Sequence, residues 1–338
     1  MNHPTPIPPG TGPSSRLRRI RLKHAWLRER GADELWLGEP TTGEAVTAFE
    51  ERNGVTLPGS YRAFVTSVAD GGMMFDAAVG AVERMTNVPE GTYWRTVGLE
   101  CDEYPPTHPF PLVAGEEDSE GTRYPHARIE SREPWPDDIG FDDDWWERAL
   151  DWDEDTTWGE FPGLLRMAEL GCGYAVNLVL YGPERGRVLY TWNDEKPPSF
   201  PPGVDFPAWY ETWLDMYACG LHFPEGRFTR ELRHDYGHVL VTSSDYLRSW
   251  VAERHGQAMR AVRLGASGGR EGETGLDGEN AEWCADLAVS EADEPTRLAA
   301  VCALSRGQGH PEWLGRVARY GRGAPADLAR VLTGAASL

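Results

Sequence analysis

The side chains with most capacity for chemistry in this 338-residue chain lie between positions 137 and 155. That stretch holds eight Asp, two Glu and one Arg, a net charge of −9, with Phe141, Trp145, Trp146 and Trp152 interleaved. Carboxylates in such numbers can ligate a hard cation, exchange protons with a substrate, or meet a basic surface. A calcium loop requires a D-x-D-x-D-G run with a closing Glu, and no such run is present. An acid–base pair could be nominated from any two of the 54 acidic residues, so the count does not discriminate. The third chemistry fits better. Acid-only runs are usually solvated tails, but indoles are costly to leave in water and are favoured at binding hot spots. Asp137, Asp138, Asp142, Asp143, Asp144, Trp145, Trp146, Asp151, Trp152, Asp153, Glu154 and Asp155 are therefore expected to form part of a partner-binding face. In the competing arrangement the indoles anchor a loop onto a sheet while the acids face solvent.

Other groupings are less well equipped. Gly171-Cys172-Gly173 has the outline of a nucleophile elbow, but a strand follows it directly and no base accompanies it. His234 and His238 would share one helical face, yet the glutamate of a zinc-protease helix is absent and Gly237 weakens a helix there. Ser243-Ser244-Asp245 reads as a helix cap. The glycines of 265–279 lack the Lys-Ser/Thr of a phosphate loop. The five cysteines, at 101, 172, 219, 284 and 302, include no C-x-x-C pair, which points to reduced thiols and not to a disulfide framework or thiolate zinc site. No catalytic residue, metal or cofactor is expected.

The net charge of −21 opposes nucleic acid as the main ligand, since phosphate binding needs a basic footprint, and it permits a basic partner. The 40% hydrophobic fraction is that of a globular chain. Neither an apolar leader segment nor a run of about 18 apolar residues is visible, so a cytoplasmic protein without membrane contact is expected.

Stepping along the chain, residues 1–15 are rich in Pro, Gly, Ser and Thr and read as disordered. Within 16–39, Arg16 to Arg30 carries seven Lys/Arg and one Glu, with Leu17, Ile20, Leu22, Trp26 and Leu27 at helical spacing. A basic amphipathic helix docked on the acidic body of its own chain is expected. Thr41 and Glu44 have capping-box spacing before a helix to Asn53, with Ala45, Ala48, Phe49 and Arg52 on one face and Gly54 as its left-handed stop. Pro58 opens a second helix, whose Tyr61, Phe64, Val65 and Val68 form an inward stripe. Residues 174–181 and 187–192 alternate with period two around Gly182–Gly186, a β-hairpin. Phe206, Trp209, Tyr210, Trp213, Leu214 and Tyr217 keep a helical period and are expected to pack on that sheet. Residues 218–264 read as a mixed extension with a strand at His238–Thr242 and a helix at Asp245–His255. Residues 265–279 read as a glycine-rich linker, and 280–338 as a small helical tail.

The segment FEERNGVTLPGSYRAFVTSVADGG, the hairpin GCGYAVNLVLYGPERGRVLYTW and the helix FPAWYETWLD occur in an order that resembles the SUKH superfamily, also called the Smi/Knr family. The resemblance spans residues 40–217. It implies an α+β domain with a mostly antiparallel sheet packed with helices, to which the C-terminal helical region is added. Thr191-Trp192-Asn193-Asp194 departs from the short acidic pattern the family has after the second strand. Many bacterial members are immunity proteins that bind and neutralise toxins, often nucleases, and fungal members are regulatory scaffolds. The resemblance thus implies a non-catalytic protein-binding domain, either toxin-neutralising or a regulatory interaction module.

Overall fold

The computed structural model describes residues 13–33, 35–74, 77–79, 82, 100–101, 110, 112–114, 127–129, 163–171, 174–191, 198, 200–201, 203, 205–220, 256–258, 260–266, 276–307 and 311–335. The basic segment is helix α1, Pro13–Glu29. Helix α2, Gly43–Asn53, is capped by Thr42, whose hydroxyl accepts the Ala45 N–H at 3.2 Å. The expected cap, Thr41, is one residue too early. Its own N–H donates to the carbonyl of Val65 at 2.9 Å, so the following threonine is left to start the helix. The inward face is Val46 and Phe49; Ala48 and Arg52, read as sharing a face with Phe49, are exposed. Val46 has more apolar area to bury than either alanine, and Arg52 lies over the outer side of the Phe49 ring at 5.9 Å.

Helix α3, Gly59–Ser67, follows a turn fastened by Glu50, which accepts the Leu57 N–H at 2.8 Å and an Arg62 N–H at 2.6 Å. Tyr61, Phe64, Val65 and Val68 are all buried, as their spacing predicts. Two short hairpins come next: β1, Gly72–Met74, with β2, Ala77–Val79, and β4, Leu112–Ala114, with β5, Ala127–Ile129.

The main sheet is antiparallel, in the order β3-β6-β7-β8, with β3 Glu100–Cys101, β6 Leu164–Gly171, β7 Tyr174–Val179 and β8 Val188–Thr191. The β7–β8 hairpin is the one read from the sequence, with somewhat shorter strands, and the Leu180 N–H continues the ladder toward β6 by donating to the Gly163 carbonyl at 2.7 Å. Gly182 in its turn is obligatory. Its φ is +108°, and a Cβ there would lie 2.4 Å from the Phe110 carbonyl oxygen. The fold is therefore mixed α+β around an antiparallel sheet.

Helix α4, Phe206–Ala218, has Asp205 as its cap and Pro207 in its first turn. Every one of its residues is buried. The expected aromatic stripe divides between two neighbours. Phe206 and Tyr210 meet Tyr61 and Phe64 of α3 edge-on at 4.8–5.1 Å, while Trp209 Nε1 donates to the Tyr190 hydroxyl of β8 at 2.7 Å. The opposite, polar side of α4 is covered by α1 and by the C-terminal helices.

Those helices are α5, Gly278–Val289, α6, Glu294–Arg306, α7, Pro311–Tyr320, and α8, Gly323–Thr333. Helix α6 packs on α4, and α8 on α1. Asp277 and Asp293 cap α5 and α6, each accepting from the residue three further on. The expected linker is narrower than 265–279. Residues 265–266 continue a helical stretch, Leu276 is buried, and α5 has already begun at Gly278. The strand expected at 238–242 and the helix expected at 245–255 lie outside the described residues.

Trp213 is 1% exposed at the centre of α4. Trp213→Ala is expected to cost about 3–5 kcal/mol, from lost transfer energy and a residual cavity. Equilibrium urea unfolding measures it, and an unchanged midpoint would place the indole outside the core.

Candidate functional site

Two carboxylates one turn apart, Glu211 and Asp215, interrupt the apolar surface of α4, and their side chains are 0% and 2% exposed. A bare carboxylate in that setting would neutralise itself. Here α1 supplies the counter-charge. Arg16, Arg19 and Lys23 recur at intervals of three and four, so they project from one face of α1. Lys23 Nζ donates to Glu211 Oε1 at 2.9 Å and to Asp215 Oδ1 at 2.6 Å. Arg19 forks onto Glu211, with Nε at 2.9 Å and Nη2 at 3.0 Å. Arg16 reaches the capping carboxylate of Asp205 at 3.1 Å. From the other side, Arg306 of α6 sets Nε 3.4 Å from both Glu211 and Asp215. Its Nη2 donates to the Ala208 carbonyl and the Thr212 hydroxyl, at 2.8 and 2.9 Å.

Burial works against the Glu211 charge, but Lys23, Arg19 and Arg306 outweigh it and hold the carboxyl well below its usual range. Burial likewise works against the Lys23 ammonium, and Asp215 and Glu211 reverse that and raise it. Arg19 is raised by the same competition, with Glu211 prevailing. Arg16 is lowered, because burial there exceeds what Asp205 and Glu211 restore. Both Glu211 oxygens accept hydrogen bonds from cations, and a carboxylate held this far down is a weak base. The arrangement is suited to fastening α1, α4 and α6 together.

On the other side of α4, a small apolar recess opens between α3 and α4, bounded by Leu37, Tyr61, Phe64, Phe206 and Tyr210. Burial pushes the phenols of Tyr61 and Tyr210 up, and for Tyr61 the nearby Asp70 adds to it. Among the described residues no group of three His, Cys, Asp or Glu is arranged to hold a metal ion, and no helix is long and apolar enough to cross a membrane.

All twelve residues of the expected partner-binding face, Asp137 to Asp155, lie outside the described residues. So do Cys172, His234, His238, Ser243, Ser244 and Asp245. Gly171 ends β6 and pairs with Tyr174. Sequence reasoning missed Glu211 and Asp215. The available signal was a pair of acids at i, i+4 on a helix with almost no other charge, matched by cations at i, i+3 and i+7 in α1. Comparison with protein-family models, with curated proteins and with solved structures finds no match.

Lys23→Ala removes the cation that hydrogen-bonds both buried carboxylates, leaving Asp215 with Arg306 alone at 3.4 Å, and is expected to cost about 3–5 kcal/mol in urea unfolding. Glu211→Gln carries a pH signature. A depressed carboxyl stabilises the folded state above its ordinary value of 4.5, and that stabilisation fades as pH falls through the lower folded value. The stability gap between wild type and Glu211→Gln should hold steady from pH 6 to 9 and narrow below about pH 4.5. A gap that does not change down to pH 3 would show that the carboxylate charge contributes nothing.

Proposed function

We propose that this chain is a SUKH-type binding protein that neutralises a toxin, acts in the cytoplasm and performs no chemistry. The observation that carries the reading is the acidic-aromatic segment 137–155, net −9 in a chain of net −21. A nuclease toxin is the natural partner class. Its cleft must attract phosphate, so it presents positive potential that a carboxylate cluster can occupy. The succession of paired helices, antiparallel hairpin and aromatic helix supports the family assignment. The engagement of Glu211 and Asp215 by four cations supports binding over catalysis. A regulatory scaffold would need α1 and the C-terminal helices free to recruit other proteins. Here the inner face of α1 is turned to α4, and α6 and α8 pack on the body of the chain.

In this reading the acids and the indoles act on different rate constants. Exposed charges steer encounter and are screened beyond about 8 Å at physiological salt. Changing Asp142, Asp143 and Asp144 together to Asn should slow association and flatten its salt dependence. Trp145→Ala or Trp146→Ala should chiefly speed dissociation. Stopped-flow kinetics with a toxin found encoded beside this gene and shown to co-purify with the protein, at two salt concentrations, measure both, with a thermal melt of each variant. Unchanged rates for the triple variant at low salt would move the binding face elsewhere.

A further inference from the structure

Helix α1 lies in a groove between α4 and α8, with α3 at its edge. Leu17, Ile20, Lys23, Trp26 and Leu27 are buried there, while Arg21 and Arg28 on the outer side are exposed. The groove fits one pattern of cations. Its carboxylates, Asp205, Glu211 and Asp215, meet Arg16, Arg19 and Lys23 at 2.6–3.1 Å. Emptied, it would expose apolar surface around two carboxylates left with Arg306 only, at 3.4 Å from each.

What the groove recognises is the inner face of α1, not its covalent link. That link is short. After Glu29 the chain turns back at Gly31, whose φ is +85°. The Ala32 N–H donates to the Leu27 carbonyl at 3.2 Å, and His24 Nε2 lies 3.0 Å from the Leu35 carbonyl oxygen. From Leu37 onward the chain is fixed to the body. Leu37 bridges Gly72, and the Gly38 and Thr41 N–H groups donate to the carbonyls of Gly71 and Val65. Opening the turn at Arg30–Asp33 therefore lets α1 swing away whole. Arg30 and Ala32 are good helix formers and no proline occurs between them and Pro40, so the opened turn can extend α1. The 17 residues of α1, at about 1.5 Å each, reach about 25 Å, far enough to enter the groove of a second molecule. Just past the turn the Trp36 indole N–H is buried without an acceptor, a local cost that rearrangement of the turn can relieve.

We propose that two copies of this chain exchange α1, so that Arg16, Arg19 and Lys23 of each close on Asp205, Glu211 and Asp215 of the other. The groove contacts are the same as in the single chain. The two forms differ in the turn and in the cost of association. The tether holds α1 over its own groove at an effective concentration of about a millimolar, so dilute chains keep their own helix. Exchange takes place where groove and helix assemble at high protein concentration. The dimer then persists, because each helix must leave one groove before it can return to the other. The exchange is two-fold and closed, so assembly stops at the dimer.

The test is to refold the full chain from urea at ~0.5 mM, near that effective concentration, and at about fiftyfold dilution, then measure mass by gel filtration with light scattering. A dimer is expected at the higher concentration and should survive later dilution. Valine is strained at φ +85° and meets no other obstacle at position 31, so Gly31→Val should raise the dimer fraction at least about fivefold. Lys23→Glu and Glu211→Lys test what is exchanged. Each alone sets like charges against each other in its own groove. In a mixed dimer one groove is native and the other pairs the two reversed charges. Refolded together, the two variants should give a one-to-one mixed dimer, identified by mass spectrometry, and neither should dimerise alone. A wild-type chain that refolds only as monomer at the higher concentration would overturn the proposal. So would a mixture without mixed dimer, or either variant dimerising alone as fully as the mixture. No partner protein enters this readout, so its outcome is independent of the proposed function.

Discussion

A carboxylate with no access to water, Glu211, sets the terms on which this chain folds. Left alone it would have to bind a proton or unfold the helix that carries it. It is instead held by cations from two segments far apart in sequence, α1 near one end and α6 near the other. The consequence is architectural. Without α1 and α6, the polar side of α4 would present Glu211, Thr212 and Asp215 to solvent and the domain would end there. With them, α4 becomes a central helix buried all round, and the N-terminal and C-terminal helices become part of one core.

Such a network is a poor source of net stability, because desolvating the ions offsets most of their attraction. Its strength lies in register. Successive residues on a helix are about 100° apart, so sliding α1 by one position would swing Arg19 and Lys23 off their carboxylates and bring the buried Ile20 and Trp26 out. The apolar contacts alone tolerate small slips, since leucine and alanine surfaces interchange readily. Charges that are fatal when unpaired do not. The aromatic contacts on the other side of α4 act similarly through geometry. The Trp209–Tyr190 hydrogen bond ties the helix to one position on β8, and the edge-on rings of Phe206, Phe64 and Tyr61 fix its tilt against α3.

Parts of this arrangement are legible in the sequence because one local rule decides them. The stripe of Tyr61, Phe64, Val65 and Val68, the left-handed Gly54 and the β7–β8 hairpin are of this kind. Where two rules compete, the outcome rests on distant residues. Thr41 and Thr42 are equally good caps, and a hydrogen bond from Thr41 to Val65, across the α2–α3 pair, selects the second. Strand β6 was illegible for another reason. Its register with β7 shifts between Arg166 and Ala168 and again between Glu169 and Gly171. Each irregularity breaks the period of two that identifies a strand, so Leu164–Gly171 shows no alternation to read. Glu211 and Asp215 have the spacing of a solvent face, and only the helices that cover them reveal otherwise.

The same network constrains where the charge of the chain can act. Among the described residues, Asp205, Glu211 and Asp215 are matched by Arg16, Arg19, Lys23 and Arg306, one cation more than the carboxylates. The buried set is therefore slightly positive, and the whole excess of −21 resides outside it. The inner cations of α1, the strongest positive run in the sequence, are already committed within the core and are not available to neutralise the 137–155 tract. The residues outside the buried set therefore carry the whole net negative charge of the chain. Of the seven cations between Arg16 and Arg30, Arg16, Arg19 and Lys23 are engaged by Asp205, Glu211 and Asp215 of α4 and its cap.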